Sequence, residues 1–231
     1  MLIDPSPLSP DALYKLLTGA VVPRPIAWVT SMSAQGVLNL APFSAFTFVS
    51  NKPPMLGINV GRKAGVMKDT GNNIQASGEY VVHIPDDTMI DAVHRSSIEF
   101  PPDVSEVDVL GLATVASTRV RVPRLAIAPI AMECRLHGAT AYGSTGSLFI
   151  VGEVLAFHVR DGLAAEGKID TTLLRPVCRI GGPNYASLGE ITRLSPVAQS
   201  GKTVLADAPA GGPADSGKIA SCNSNTSGSS T

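Results

Sequence analysis

Residues 21–54 read VVPRPIAWVTSMSAQGVLNLAPFSAFTFVSNKPP. Two apolar runs in this stretch, Ile26 to Met32 and Leu38 to Val49, have the period and composition of strands. Ala34-Gln35-Gly36 between them reads as a hairpin turn, and Pro42 is expected to bend the second strand. Alternation places Trp28 and Thr30 on one face of the first strand and Val29 and Ser31 on the other. Both strands therefore carry small hydroxyl or amide groups inside otherwise apolar surface.

Strands continue to dominate on either side. Met55 to Val60 is a third, followed by the loop Gly61-Arg62-Lys63, and EYVVHIP (79–85) is another. Leu125 to Leu136 and Leu148 to Val159 are long apolar segments joined through the flexible YGSTGS. The last of these has Ile150 and Val154 on one face and Phe149, Val151, Leu155 and Phe157 on the other. A strand buried on both sides needs a barrel interior and a second cover. Helices are short. Ser9-Pro10-Asp11 caps one that carries Leu13, Leu16 and Leu17 and ends at Gly19. KDTGNNIQASG (68–78) forms another, with Asp69 or Thr70 as cap and Gly78 past its end. DDTMIDAVHRSS (86–97) is a third, with Met89, Ile90 and Val93 on one side, while 99–118 reads as irregular. The fold class is mainly β, a closed or partly closed barrel rather than a doubly wound sheet. Residues 1–197 form one domain. From 198 to 231 the chain is small, polar and nearly without large apolar groups, the composition of a disordered tail.

Bulk composition excludes several functions. With a net charge of −1 the chain has no electrostatic grip on nucleic acid or an anionic membrane. Only 16% of residues are charged, against roughly 25% for soluble domains, which points to surface covered by another subunit. Cys134, Cys178 and Cys222 form neither a CxxC pair nor a disulfide framework. The start, MLIDPSPLSPDAL, lacks a basic region followed by an apolar core, so a cytoplasmic location is expected. GKT at 201–203 has no strand before it and Pro196 where a P-loop needs glycine. There is no GxGxxG and no GxSxG, and the four histidines lack metal-ligand spacing.

Two constellations remain. GRKAGVMKDT gathers Arg62, Lys63 and Lys68 around a glycine loop entering a helix, an arrangement suited to one phosphate. On spacing alone such a stretch is more often a solvated basic loop with a cap. WVTS and NLAPFSAF offer a wide apolar wall with a few polar groups, which is what a flat ring system with a polar rim requires. A flavin fits that description. Taken singly, Trp28 is more often a core anchor, and Asn39 and Ser44 are equally turn residues.

PRPIAWVTSMSAQGVLNLAPFSAF (23–46), PPMLGINVGRKAGVMKDTGNNI (53–74), PIAMECRL (129–136), FIVGEV (149–154) and RPVCRIGGPNYA (175–186) occur in this order. With them the chain resembles the flavin reductase-like proteins of the FMN-binding split-barrel family, from about Tyr14 to Leu194. The resemblance implies a six-stranded Greek-key split barrel, a homodimer, and FMN (or FAD) near the subunit interface. By position, Trp28, Thr30 and Ser31 would flank the cofactor, and Asn39, Ala41, Pro42, Phe43 and Ser44 would line the isoalloxazine. Asn59, Val60, Gly61 and Arg62 would approach the ribityl–phosphate arm, with Lys68, Asp69 and Thr70 round the phosphate. His158 either faces the flavin or nicotinamide as a catalytic residue or is a satisfied interface histidine, and Tyr185 covers the site. Glu133 and Glu153, in apolar strands, are each expected to pair with an arginine such as Arg135 or Arg179. The implied function is an NAD(P)H-dependent flavin reductase. It passes hydride from NADH or NADPH to flavin N5 and supplies a partner monooxygenase or another acceptor, which explains the missing acid–base pair. An FMN-binding electron carrier reduced by a protein donor, and a flavin enzyme acting on a small organic substrate, would need the same cradle.

Overall fold

The computed structural model describes residues 1–63 and 65–195. The expected tail, 198–231, lies outside the described residues. Seven strands make one antiparallel sheet: β1 (Ala27–Met32), β2 (Leu38–Phe43), β3 (Phe46–Asn51), β4 (Pro54–Val60), β5 (Glu79–Ile84), β6 (Ile130–Tyr142) and β7 (Ser147–Val159). Their spatial order is β2-β1-β5-β6-β7-β4-β3. The two edge strands are neighbours in the chain, separated only by Ser44 and Ala45, so one corner brings the edges together. The Asn59 N–H donates to the Ala45 carbonyl there at 2.8 Å. Counted as one bent strand, β2 and β3 complete a six-stranded split barrel. Pro42, lacking an N–H, sits on the sheet edge where no ladder bond is required of it.

Alternation along β1 has a structural counterpart. Ala27 and Val29 face the barrel interior with Ile58, Tyr80, Val82 and Ile150. Trp28 faces outward into a second core made with Leu40, Met89, Val93 and Leu125. The outer side of β1 and β2 is covered by α3 (Ile90–Arg95) and α4 (Glu106–Val109). A single 3₁₀ turn leads into α3, with the Asp86 carboxylate accepting from the Thr88 N–H. α4 lies inside the stretch expected to be irregular, capped by Ser105. Along β7, Leu148, Ile150 and Val154 are buried, whereas Phe157 on the other face is 57% exposed. Part of the expected cover is present, since Leu155 on that face packs against Val81, Val120, Val122 and Ala131.

The first two helices correct smaller expectations. α1 (Pro10–Ala20) begins as expected, with Ser9 Oγ accepting from the Ala12 N–H. It runs past Gly19, and its Leu16 and Leu17 are exposed rather than packed. α2 (Asp69–Ser77) ends at Gly78, whose φ of 72° lets its N–H return to the Ile74 carbonyl. Its cap position is Lys68, not Asp69 or Thr70, and no side chain caps it.

Candidate functional site

Hydroxyls and amides of β1, β2 and α2 satisfy one another below the surface. Asn39 Nδ2 donates to Thr70 Oγ1 at 2.8 Å and lies 3.4 Å from Ser31 Oγ. Asn73 Nδ2 donates to the same serine oxygen at 3.3 Å. All four residues are buried, where an unpartnered polar group would be destabilising. The network ties the start of α2 to the outer hairpin. At that start the first backbone N–H groups have no intrahelical partner, and the Lys68 side chain does not cap them.

A cavity of about 380 Å³ opens against this helix start. β2 contributes Asn39, Ala41 and Pro42; the entry to α2 contributes Val66 to Thr70; the segment after α3 contributes Ser96 to Phe100. Glu106 completes the wall. Its carboxylate accepts the outward N–H of Leu40 at 2.8 Å, an edge donor of β2. Burial raises its pKa, the Leu40 N–H opposes that rise, and nearby Asp69 adds to it. A second cavity of about 340 Å³ shares Pro42 and Ser97 with the first and adds Ser44, Arg24, Arg179 and Tyr185.

Six of the expected cofactor residues therefore meet on one cavity: Asn39, Ala41, Pro42, Lys68, Asp69 and Thr70. Ser44 lines the adjoining one. The others stand elsewhere. Trp28 is fully buried and acts from behind, its indole N–H donating to Oγ of the lining residue Ser96 at 2.8 Å. Thr30 donates to the Pro123 carbonyl at 2.9 Å, and Ser31 is the hub of the polar network. Phe43 and Val60 belong to the barrel core, although Lys68 Nζ lies 6.0 Å from the centre of the Phe43 ring. Asn59 and Gly61 are not on the cavity wall. Arg62 is turned to neighbouring turns, its Nε donating to the Gly146 carbonyl at 3.0 Å and Nη1 to that of Gly65 at 3.2 Å. Ser96 to Phe100 and Glu106 were not anticipated, since SSIEF carries no periodic pattern and is placed by where α3 ends.

His158 lines neither cavity. Its Nε2 lies 2.5 Å from Glu133 Oε1. Glu133 also accepts from the Thr118 N–H and hydroxyl and from the N–H groups of Arg119 and Val120. The arginine partner expected for Glu133 is therefore replaced by a backbone turn and a histidine. Burial pushes this carboxyl upward, but the Thr118, His158 and Arg119 donors prevail and hold it at about 2. Glu153 stands opposite Arg135 in the β6–β7 register without an ion pair among the described residues. Arg179 is engaged with Tyr185 instead.

The topology defines a mainly β split-barrel protein with a polar-floored cavity beside its outer hairpin. Residues 19–174 match the family described as a flavin reductase like domain; the chain belongs to that family. An uncharacterized protein of Halalkalibacterium halodurans is 45% identical over 195 residues, 82% of this chain and 93% of its own. Nitrilotriacetate monooxygenase component B from Bacillus cereus is 40% identical with a TM-score of 0.82, over 84% of this chain and 98% of its own. The Pseudomonas fluorescens 2-nitrobenzoate 2-nitroreductase NbaA is 34% identical with a TM-score of 0.77, over 84% and 95%.

Proposed function

We propose that the chain is an FMN-binding oxidoreductase, an NAD(P)H-dependent flavin reductase that holds FMN in the cavity between β2, the start of α2 and residues 96–100. One observation carries the reading. A cavity of about 380 Å³, with both apolar and polar groups on its wall, ends on an uncapped helix start with an ammonium beside it. The volume lies within the roughly 300–1,000 Å³ of small-molecule sites. Free N–H groups and Lys68 suit a phosphate, Pro42, Met67 and Phe100 suit a flat ring system, and Asn39 supplies a polar group held in place by Thr70.

When bound, the flavin supplies the hydride- and electron-accepting chemistry. The chain's residues then orient and enclose it: Pro42 and Ala41 as a wall, Ser96 and Ser97 as hydroxyls, Trp28 fixing Ser96 from behind. FAD would need room beyond the phosphate end, and FMN is the better match to a single helix start. A homodimer is supported by the exposed Phe48, Tyr142 and Phe157 on the barrel's outer faces. An oxygenase as recipient of the reduced flavin is supported by the likeness to a monooxygenase component B. Among the described residues no helix is long and apolar enough to cross a membrane.

The test is a titration with FMN followed by flavin fluorescence, and then NADH or NADPH oxidation at about 340 nm in its presence. Saturable FMN binding with nucleotide oxidation is expected. Absence of FMN binding would refute the site; FMN binding without oxidation of either nucleotide would refute the reductase and favour reduction by a protein donor.

A further inference from the structure

The second cavity holds two guanidinium groups that, among the described residues, no carboxylate neutralises. Arg24 donates from Nη1 to the carbonyls of Thr18 and Val21 at 2.6 and 2.7 Å, from Nη2 to that of Ile180 at 3.2 Å, and from Nε to Ser44 Oγ at 3.3 Å. All four acceptors are neutral. Arg179 donates from Nε to the Gly182 carbonyl at 2.9 Å and from Nη1 to the Tyr185 hydroxyl, with its guanidinium 4.5 Å from the centre of that ring. An arginine has five N–H donors, so Arg179 keeps three for a ligand and Arg24 one. The carboxylate on this wall, Asp11, is bound to Lys15 Nζ at 2.7 Å. His94 Nδ1 lies 3.2 Å from the Tyr185 hydroxyl and adds no negative charge. The guanidinium of Arg24 is held as a rigid brace between the end of α1 and residue 180, while that of Arg179 is aligned on an aromatic face. Both are preorganised, part-buried cations facing one space.

The neighbouring flavin cavity has the opposite bias. Asp69 and Glu106 line it, which disfavours a second anion there once Lys68 and the helix start are occupied by a phosphate. A ligand lying across Pro42 and Ser97, the boundary common to both cavities, is thus oriented with its negative end towards Arg24 and Arg179. We propose that this second cavity binds the oxyanion, phosphate or carboxylate, of a second ligand whose ring lies against the flavin. The inference rests on the flavin reading for the position of that ring, but the anion site itself does not need the flavin. Guanidinium forks recognise both oxyanions in the same planar geometry. The source is either the pyrophosphate of a dinucleotide or the carboxylate of an aromatic acceptor.

Calorimetric titration of the full chain with inorganic pyrophosphate and with benzoate tests this, with and without saturating FMN. At least one is expected to bind, more weakly as salt is raised, and Arg179→Met is expected to weaken it about tenfold or more while FMN affinity stays unchanged. Tighter pyrophosphate binding identifies the dinucleotide and tighter benzoate binding the aromatic acceptor; either supports the site. No binding of either probe, or equal affinity in Arg179→Met, overturns it. Should that variant not fold, the salt dependence of the unaltered protein decides, and salt-insensitive binding overturns the proposal. Failure of FMN to bind would refute the flavin cavity while leaving the pyrophosphate and benzoate titrations of the FMN-free protein as a test of the arginine site.

Discussion

Replacing Glu133 with alanine or glutamine probes the most concentrated buried charge of the barrel wall. The side chain has no solvent exposure and accepts from three consecutive backbone N–H groups, at 2.7, 2.5 and 3.1 Å, besides the Thr118 hydroxyl and His158. Those donors belong to the turn that delivers Val120 and Val122 to their packing against Val81 and Ala131. Alanine leaves the N–H groups without an acceptor and His158 without its partner. Leaving buried donors without an acceptor costs about 1–3 kcal/mol for each. Glutamine keeps the shape but turns an amide –NH₂ towards donors, and the loss of charge-assisted bonds costs about 1.5–3 kcal/mol. The assay is urea unfolding followed by emission of Trp28, the chain's one tryptophan, which is fully buried. A lower midpoint with an unchanged slope is expected.

The same carboxylate sets a pH dependence of known sign. Its folded pKa, about 2, lies below the ordinary 4.5, so its contribution to stability is present above about pH 4.5 and is lost as pH falls towards 2. The gap between the unaltered protein and Glu133→Gln should therefore be full at pH 7 and shrink through that window. FMN affinity should not change, because neither Glu133 nor His158 lines the cavity. A glutamine variant within about 0.5 kcal/mol of the original at pH 7, or a gap that is constant down to pH 3, would refute the reasoning.

Lys68→Ala is expected to weaken FMN binding about tenfold, the loss of one charge-assisted contact, whereas Arg62→Ala should leave it within about twofold because Arg62 is engaged with two turn carbonyls outside the cavity; fluorescence titration separates them. Glu106→Gln should raise stability at pH 7. The pKa of Glu106 is raised by burial, so its ionised form opposes folding and stability falls as pH climbs above the ordinary carboxylate range; thermal melts of both proteins at pH 5 and 8 should converge at the lower value. Gly152→Ala places a Cβ 2.0 Å from the Tyr80 hydroxyl inside the barrel, and overpacking of about 1–3 kcal/mol should appear as a reduced urea midpoint.

Periodicity located every strand of the barrel, but pairing decided their ends. The segment from Leu125 was expected to be strand throughout; Leu125 instead bridges to Thr114, and β6 begins at Ile130 where it meets Val159 and Ile84. β6 then extends to Tyr142 because β7 runs opposite it to Ser147, a constraint that a local pattern does not contain. The bend expected near Pro42 is displaced to Ser44 and Ala45, since a proline on an edge strand costs no ladder bond and need not break it.

The site divides in a similar way. Asn39, Lys68 and Thr70, which line the first cavity, were expected from the family resemblance, Lys68 also from a basic glycine loop entering a helix. A carboxylate within an apolar run demands a partner, which marked Glu133 but could not name that partner. An arginine leaves a signature in the sequence, whereas three backbone N–H groups at Thr118, Arg119 and Val120 leave none, because every non-proline residue carries one. Trp28 shows the converse. It does not line the cavity: buried at the second core, it donates to Ser96, and Ser96 opens the segment that forms the cavity's outer wall. The polar studs of β1 and β2 thus act at two depths, Asn39 at the surface of the cavity and Trp28, Thr30 and Ser31 behind it, holding the pieces that surround it at fixed positions.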